Sequence, residues 1–397
     1  MTMRKKNLLR LGILLVVLTG CTSSPESVSV PVVQTVHAQP QSAATSQAQV
    51  EETSPVWTAR LSGSVNTAPL ISGDLVIAPT ADGVIHAIYA ENGSAAWTYS
   101  GETKIWDASV NADESKVCAG MEGRQVFCLD AKTGVPLWTA TLELEVQSRL
   151  ALTPDRVFAP TTHAGTGLEN DFNAQASLIA LNAENGEVIW ETVTDNYILR
   201  RPVLNGEVLI TGGAYQESNK PAGEVATRVY AFNVEDGSVI WKYESGDGLL
   251  RWVETNGDVV TFSAATETVY ALSLADGQLL WQSNPGYWMQ FPVMQDGQIF
   301  FGSGDEIFHA LNASNGQEAW SHKINISSLN QIGRPILREN VLWLNSVTGE
   351  IYALDKNNGE RLAYLNTGHS SRVGGAVYGS LYILGDPEGN LYAYAIQ

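Results

Sequence analysis

Cysteine, methionine and histidine are scarce in this chain, at three, five and six of 397 residues. His163, His309, His322 and His369 stand singly, and no CxxC, GxSxG or phosphate-binding glycine loop occurs. The sequence therefore offers no metal centre, no nucleophile elbow and no nucleotide cradle. No catalytic residue, metal or cofactor is expected. Positive charge is also short: 23 Lys and Arg face 42 Asp and Glu, a formal net charge of −19. Such a surface disfavours nucleic acid and anionic lipid headgroups as partners. The apolar run at residues 11–18 is too short to span a bilayer.

That run nevertheless has an address. Arg4, Lys5, Lys6 and Arg10 precede it, and it closes on Leu18-Thr19-Gly20-Cys21. This resembles a bacterial lipobox, which implies a signal peptide over residues 1–20, cleavage before Cys21 and acylation of that cysteine, palmitate included. Thr22 follows, where an Asp often retains lipoproteins at the inner membrane. The expected location is the cell envelope: the outer membrane facing the periplasm in a two-membrane cell, otherwise the outer face of the cytoplasmic membrane. Residues 21–54, rich in Ser, Pro, Gln, Val, Ala and Thr without strand or helix period, read as a tether. Losing the signal removes four cations and no acid, so the mature chain carries 19 against 42, a net of −23.

What the chain has in abundance is repetition. An apolar xYAL strand, an Asn/Asp-rich turn ending in Gly and a Trp four residues later recur along its length. They read Ile85–Ile88 to Gly93 and Trp97, and Val126–Leu129 to Gly134 and Trp138. Further copies end on Gly186 and Trp190, Gly237 and Trp241, Gly277 and Trp281, and Gly316 and Trp320; the seventh has Gly359 but Ala363 in place of Trp. A period of roughly 40–50 residues built from short strands signals a β-propeller. An eighth xYAL strand, Leu391-Tyr392-Ala393-Tyr394, has no Trp strand after it, and Val56-Trp57-Thr58-Ala59 is a Trp strand with nothing before it. Joined, they complete one blade. The expectation is an all-β, eight-bladed propeller over residues 55–397 of four-stranded antiparallel blades, closed by the N-terminal strand pairing with the C-terminal strands. Seven blades would leave one xYAL strand without a partner. In blade two the strands fall at residues 105–110 (A, innermost), 116–120 (B), 125–130 (C) and 135–140 (D). The outer Trp is expected to pack between neighbouring blades.

Cys118 and Cys128 flank the turn Met121-Glu122-Gly123-Arg124, each five residues from Gly123. Pairing about that glycine sets them opposite each other, within reach of a disulfide in an oxidising compartment. Two small buried thiols are the alternative.

Residues that break the repeat are the candidates for function. Arg149, Arg200, Arg201, Arg251, Arg334 and Arg372 fall at the starts of successive A strands, with Trp106-Asp107, Trp252 and Trp288-Met289-Gln290-Phe291 at corresponding places. Six of the chain's 14 arginines would then crowd one mouth of the channel that the A strands line. Guanidinium groups gathered in an acidic protein suggest an anion site, with Trp106 and Trp252 beside it; bracing between blades is the other use of such arginines. The hairpins between strands B and C, short elsewhere, grow to about 163–177 and 212–228 in blades three and four. They lie on the face that carries this mouth, where binding loops belong.

The run Leu129-Asp130-Ala131-Lys132-Thr133-Gly134 with Trp138 resembles the PQQ-like repeat of quinoprotein dehydrogenases, over residues 56–397. Those enzymes stack the quinone on adjacent cysteines and bind calcium; adjacent cysteines do not occur here. Lipobox, tether and an eight-bladed PQQ-like propeller together resemble the BamB family of outer-membrane protein assembly factors. That resemblance implies a non-enzymatic scaffold working with a barrel-assembly machine, anchored through lipid alone and expected to be monomeric. In that family a Leu-Arg segment opening one A strand contacts the machine's barrel-bearing subunit, and Leu199-Arg200 stands at a comparable place. The two long hairpins depart from the family pattern. The other readings are a receptor for a small anionic or sugar-like ligand at the mouth, and a PQQ-dependent oxidoreductase.

Overall fold

The computed structural model describes residues 53–396 except 163–174, 197, 217–224, 247, 249, 265–267, 285–288, 305 and 325–332. Residues 1–52, where the sequence reading places a signal peptide, the acylated Cys21 and most of a tether, lie outside the described residues, as do Trp288 and most of the long hairpin at 163–177. Within them there is no helix, and the strands form eight antiparallel sheets.

Each sheet is one blade. Blade two runs Ile105–Val110, Lys116–Met121, Gln125–Asp130 and Pro136–Thr141, paired in that order. Its strands B and C are buried on both faces, which is why the repeats read as continuous apolar runs. Strand D has one buried position, Trp138, amid exposed or half-exposed neighbours. Blade eight takes its outer strand from the other end of the chain: Trp57–Arg60 pairs with Asn390–Ala395, Trp57 opposite Ala393. The count of eight and the closure are as the repeat implied.

Tryptophan and glycine join one blade to the next. The Asp130 carboxylate of the C-to-D turn accepts hydrogen bonds from the Thr133 amide (2.8 Å) and hydroxyl (2.6 Å). Gly134 closes the turn at φ +70°, where a side chain would be strained. The indole of Trp97, from the preceding blade, lies flat against that glycine and leaves no room for a Cβ. Its Nε1 donates to Ala131 O at 3.1 Å, in the same turn. The arrangement recurs from Trp57 donating to Ala90 O (2.9 Å) round to Trp320 donating to Lys356 O (2.8 Å). Seven turn glycines, from Gly93 to Gly359, each meet the Trp of the blade before.

Ala363, on strand D of blade seven, now has an explanation. Its counterpart turn would join strands C and D of blade eight, but those strands are the two ends of the chain. With no turn glycine to cover, there is no place for the indole. Ala363 packs instead among Tyr382, Tyr392 and Tyr394.

Candidate functional site

The innermost strands converge on the channel, and several are broken where they approach its mouth. In blade four the A strand is split into Ile198–Leu199 and Val203–Asn205, both paired with Val208–Gln216. Arg200, Arg201 and Pro202 fill the gap, and Pro202 has no amide to give the ladder. The pairing slips between Ile105 and Ala108 in blade two, Leu250 and Trp252 in blade five, and Gln290 and Val293 in blade six. Such bulges re-aim side chains beside binding sites. Here they fall on Trp106-Asp107, Arg251 and Phe291-Pro292.

The result is a cavity of about 440 Å³ at the mouth, lined by Arg149, Arg200, Arg201, Arg251, Arg334, Arg372 and Trp252. The six arginines were named from sequence position, and the structure brings them to one cavity with Trp252. Trp106 is not among the lining residues; its ring carries the Lys104 ammonium at 3.9 Å from the centroid. Phe291, from blade six, adds an exposed aromatic ring at positive φ. The hairpin of blade four is partly a ribbon rather than a loop: its arms extend as paired strands to Gln216 and Val225.

The arginines divide into two layers. Arg200, Arg251 and Arg372 are exposed at the rim. Below them, Arg149 grips Asp107 with two hydrogen bonds, Nε to Oδ2 at 3.1 Å and Nη2 to Oδ1 at 3.0 Å, a fork-to-carboxylate pairing between blades three and two. Arg334 reaches across the channel from blade seven to Glu254 of blade five, 2.7 Å from Nη2 to Oε1. Arg201 approaches the same oxygen at 3.7 Å. Three cations thus share two carboxylates in this layer. Arg149, Arg201 and Glu254 also border a second cavity of about 510 Å³.

Arg201 bears the imbalance. It keeps 36% of its side-chain surface open to the channel. Loss of hydration lowers its pKa, as do the Arg334 and Arg149 charges; Glu254 and Asp107 oppose, and the outcome is about 10. It remains cationic at neutral pH and shares the Glu254 carboxylate with Arg334. Glu254 was not legible as a site residue. Its one signal is alternation along its strand, which puts it on the same face as Trp252. Asp107, which the repeat places beside Trp106 at the start of its A strand, pairs with Arg149.

Cys118 and Cys128 face each other across strands B and C of blade two with Cα atoms 4.1 Å apart and sulfurs joined, both fully buried. They stand in the core and do not line the mouth. Among the described residues no group of three His, Cys, Asp or Glu is placed to hold a metal ion.

A family model described as outer membrane protein assembly factor BamB matches residues 29–109, 102–248 and 265–397. The BamB of Burkholderia pseudomallei is 25% identical over 193 residues, 47% of this chain and 47% of that protein. The BamB of Yersinia pestis is 26% identical over 330 residues, 73% of this chain and 77% of that protein. A shorter match, 29% identical over 34% of this chain and 22% of the relative, is to the quinoprotein alcohol dehydrogenase PedH of Pseudomonas putida. The crystal structure of BamB from Moraxella catarrhalis superposes with a TM-score of 0.64 at 15% identity, covering 87% of this chain and 98% of that one.

Proposed function

The chain belongs to the family of the outer membrane protein assembly factor BamB, and from that premise we propose that it is a non-enzymatic, lipid-anchored scaffold of the cell envelope serving outer-membrane protein assembly. In this reading Cys21 carries the lipid and residues 21–54 let the propeller reach away from the membrane. The propeller, a monomer, presents its mouth to an acidic segment of a barrel-assembly partner. The observation that carries the reading is the mouth itself: six arginines from five blades around one cavity, in a chain of net charge −19. Exposed Arg200, Arg251 and Arg372 form the contact rim, and Leu199, which precedes Arg200, is buried in the core.

The experiment is co-purification from crosslinked envelopes with tagged protein. The barrel-bearing subunit of the machine is expected to come with the wild type, and Arg200→Ala plus Arg251→Ala should cut recovery by about tenfold, as loss of interface arginines commonly does. Equal recovery from a folded double variant would assign these arginines to structure alone. Cys21→Ala should release the protein into the soluble fraction and abolish labelling by radioactive palmitate.

The PedH match supports a second reading, a quinone-dependent oxidoreductase, but it spans 22% of that enzyme. The chain's three cysteines are at positions 21, 118 and 128, so it lacks the adjacent pair on which such enzymes stack the quinone. Dye-linked alcohol oxidation after adding PQQ and calcium would establish this reading in place of the scaffold.

A further inference from the structure

Six non-glycine residues among those described take positive φ. Glu114, Arg124, Asp296, Glu306 and Glu339 are charged and sit in turns or bends, where such a backbone is common. The sixth, Phe291, stands inside a strand at φ +36°, in the slip between Gln290 and Val293, and is 56% exposed. A bulky aromatic residue held in strained backbone and turned to water loses on both counts, and such outliers gather at binding sites. Phe291 lines the mouth cavity of about 440 Å³, whose apolar wall it forms with Ala68, Trp252, Val253, Pro292 and Val373. The deeper lining is cationic but engaged. Arg201 and Arg334 share the Glu254 carboxylate and still keep 36% and 30% of their side-chain surface open. A guanidinium hydrogen-bonded along its edge retains a flat face. An aliphatic group laid on that face would strip its water without return, whereas an aromatic ring offers its own quadrupole in exchange. The wall calls for an apolar group, and the arginines below it call for a ring.

We propose that the mouth is a socket for an aromatic side chain of the partner protein, packed on Phe291 and Trp252 and over the Arg201 and Arg334 guanidiniums. The partner's identity and its acidic character rest on the scaffold reading; the ring rests on the cavity. The socket is continuous with the arginine rim, so one short loop of the partner would deliver an acid to the rim and a ring to the cavity. Phe291 is the residue that sets the preference for a ring. Its exposed side chain buries little within the chain itself, and the bulge aims it at the incoming group.

The test titrates the mature chain into dye-labelled pentapeptides, acetylated and amidated, that carry tryptophan, leucine or alanine between two aspartates, with fluorescence anisotropy as the readout. Charge is the same in all three, so differences report the central side chain. The tryptophan peptide should saturate one site per chain and bind about fivefold tighter than the leucine peptide, the scale of a cation–π contact. Phe291→Gly should weaken the tryptophan peptide by about fivefold. Its Tm should be no lower than that of the wild type, because glycine relieves the backbone. Phe291→Tyr, which keeps a ring, should rescue the binding. Arg334→Lys keeps the charge opposite Glu254 but loses the flat face, so the tryptophan-to-leucine ratio should fall toward one. Phe291→Gly decides if Arg334→Lys does not fold. Arg60→Gln, on the outer strand of blade eight, should change nothing. Equal binding of the three peptides, no saturation by the tryptophan peptide up to about 1 mM, or wild-type affinity in Phe291→Gly overturns the proposal. Recovery from crosslinked envelopes keeps the two readings apart. If Phe291→Gly captures the barrel-bearing subunit as the wild type does and Arg200→Ala plus Arg251→Ala does not, the socket alone is refuted. Selective binding of the tryptophan peptide by a chain that recovers no such subunit refutes the scaffold reading and supports the socket.

Discussion

Removing Trp57 tests the closure of the ring and the logic of the Trp-to-Gly joint together. The indole is 8% exposed, packs on Gly93 and donates to Ala90 O at 2.9 Å. Truncating a buried Trp to Ala costs about 3–5 kcal/mol, and the abandoned carbonyl lies inside that range of outcomes. Gly93→Ala attacks the same joint from the other side. Its Cβ would stand 2.7 Å from Trp57 Cε3, and its φ of +73° is one that alanine resists. Overpacking of about 2 kcal/mol and backbone strain of about 1 kcal/mol give about 3 in all. In the double variant the indole is gone and the clash goes with it, so only the strain remains. The two changes should therefore cost about 5 kcal/mol together, where simple addition gives about 7. Unfolding entropy of about 2.1 cal/mol/K per residue over some 340 residues is about 0.7 kcal/mol/K, so Trp57→Ala should lower Tm by about 6 °C. Thermal and urea unfolding followed by circular dichroism measure both quantities. Additive costs would show that Gly93 and Trp57 do not act as one joint, and the account of the other six joints would fall with this one.

Three further outcomes follow from the same structure. Ala363→Trp restores the repeat in sequence but has no turn glycine to cover, so it should destabilise by about 1–3 kcal/mol through overpacking; a rise in Tm would contradict the explanation of the lapse. Cys118 and Cys128 should resist alkylation unless reduced and unfolded, and Cys118→Ser with Cys128→Ser should cost up to about 3 kcal/mol for a loop of this length; mass spectrometry showing both thiols labelled without reductant would rule the bridge out. Acid should destabilise in two stages. Burial holds His86 below the ordinary histidine pKa, with Asp82 opposing, while hydrogen bonds from Thr133, Ser115 and Ser238 hold Asp130, Asp113 and Asp236 below the usual carboxylate range. A group with a lowered folded pKa binds fewer protons in the folded state, so its stabilisation is complete above the unfolded pKa and is lost as pH falls. Tm should hold above pH ~7, decline below pH ~6.5 and decline more steeply below pH ~4; a Tm that climbs between pH 7 and 5 would refute this.

Residues near one another in sequence made the fold legible. Asp130 and Gly134 shape their turn through contacts four residues long, and the buried strands beside it announce themselves as apolar runs. Eight copies of such a unit can bury their faces only against one another, which left a ring as the solution and the stray Trp57 strand as its fastener. Position in the repeat also placed six arginines on the channel, because every A strand enters from the same side.

Position could not assign their partners. Arg334 meets Glu254 across 80 residues of sequence and the width of the channel, and Arg201 shares that carboxylate only because the ring brings blades four, five and seven to one centre. The break at Pro202, the bulges beside Arg251 and Phe291, and the displacement of Trp106 from the cavity depend on how neighbouring blades crowd the mouth. By itself the sequence determined the unit, its number and its closure, since turn chemistry and strand burial act over a few residues. The tertiary structure alone decided which arginines brace, which stand exposed and which two share one carboxylate, since Coulomb interactions and desolvation depend on distances that exist only once the ring is closed.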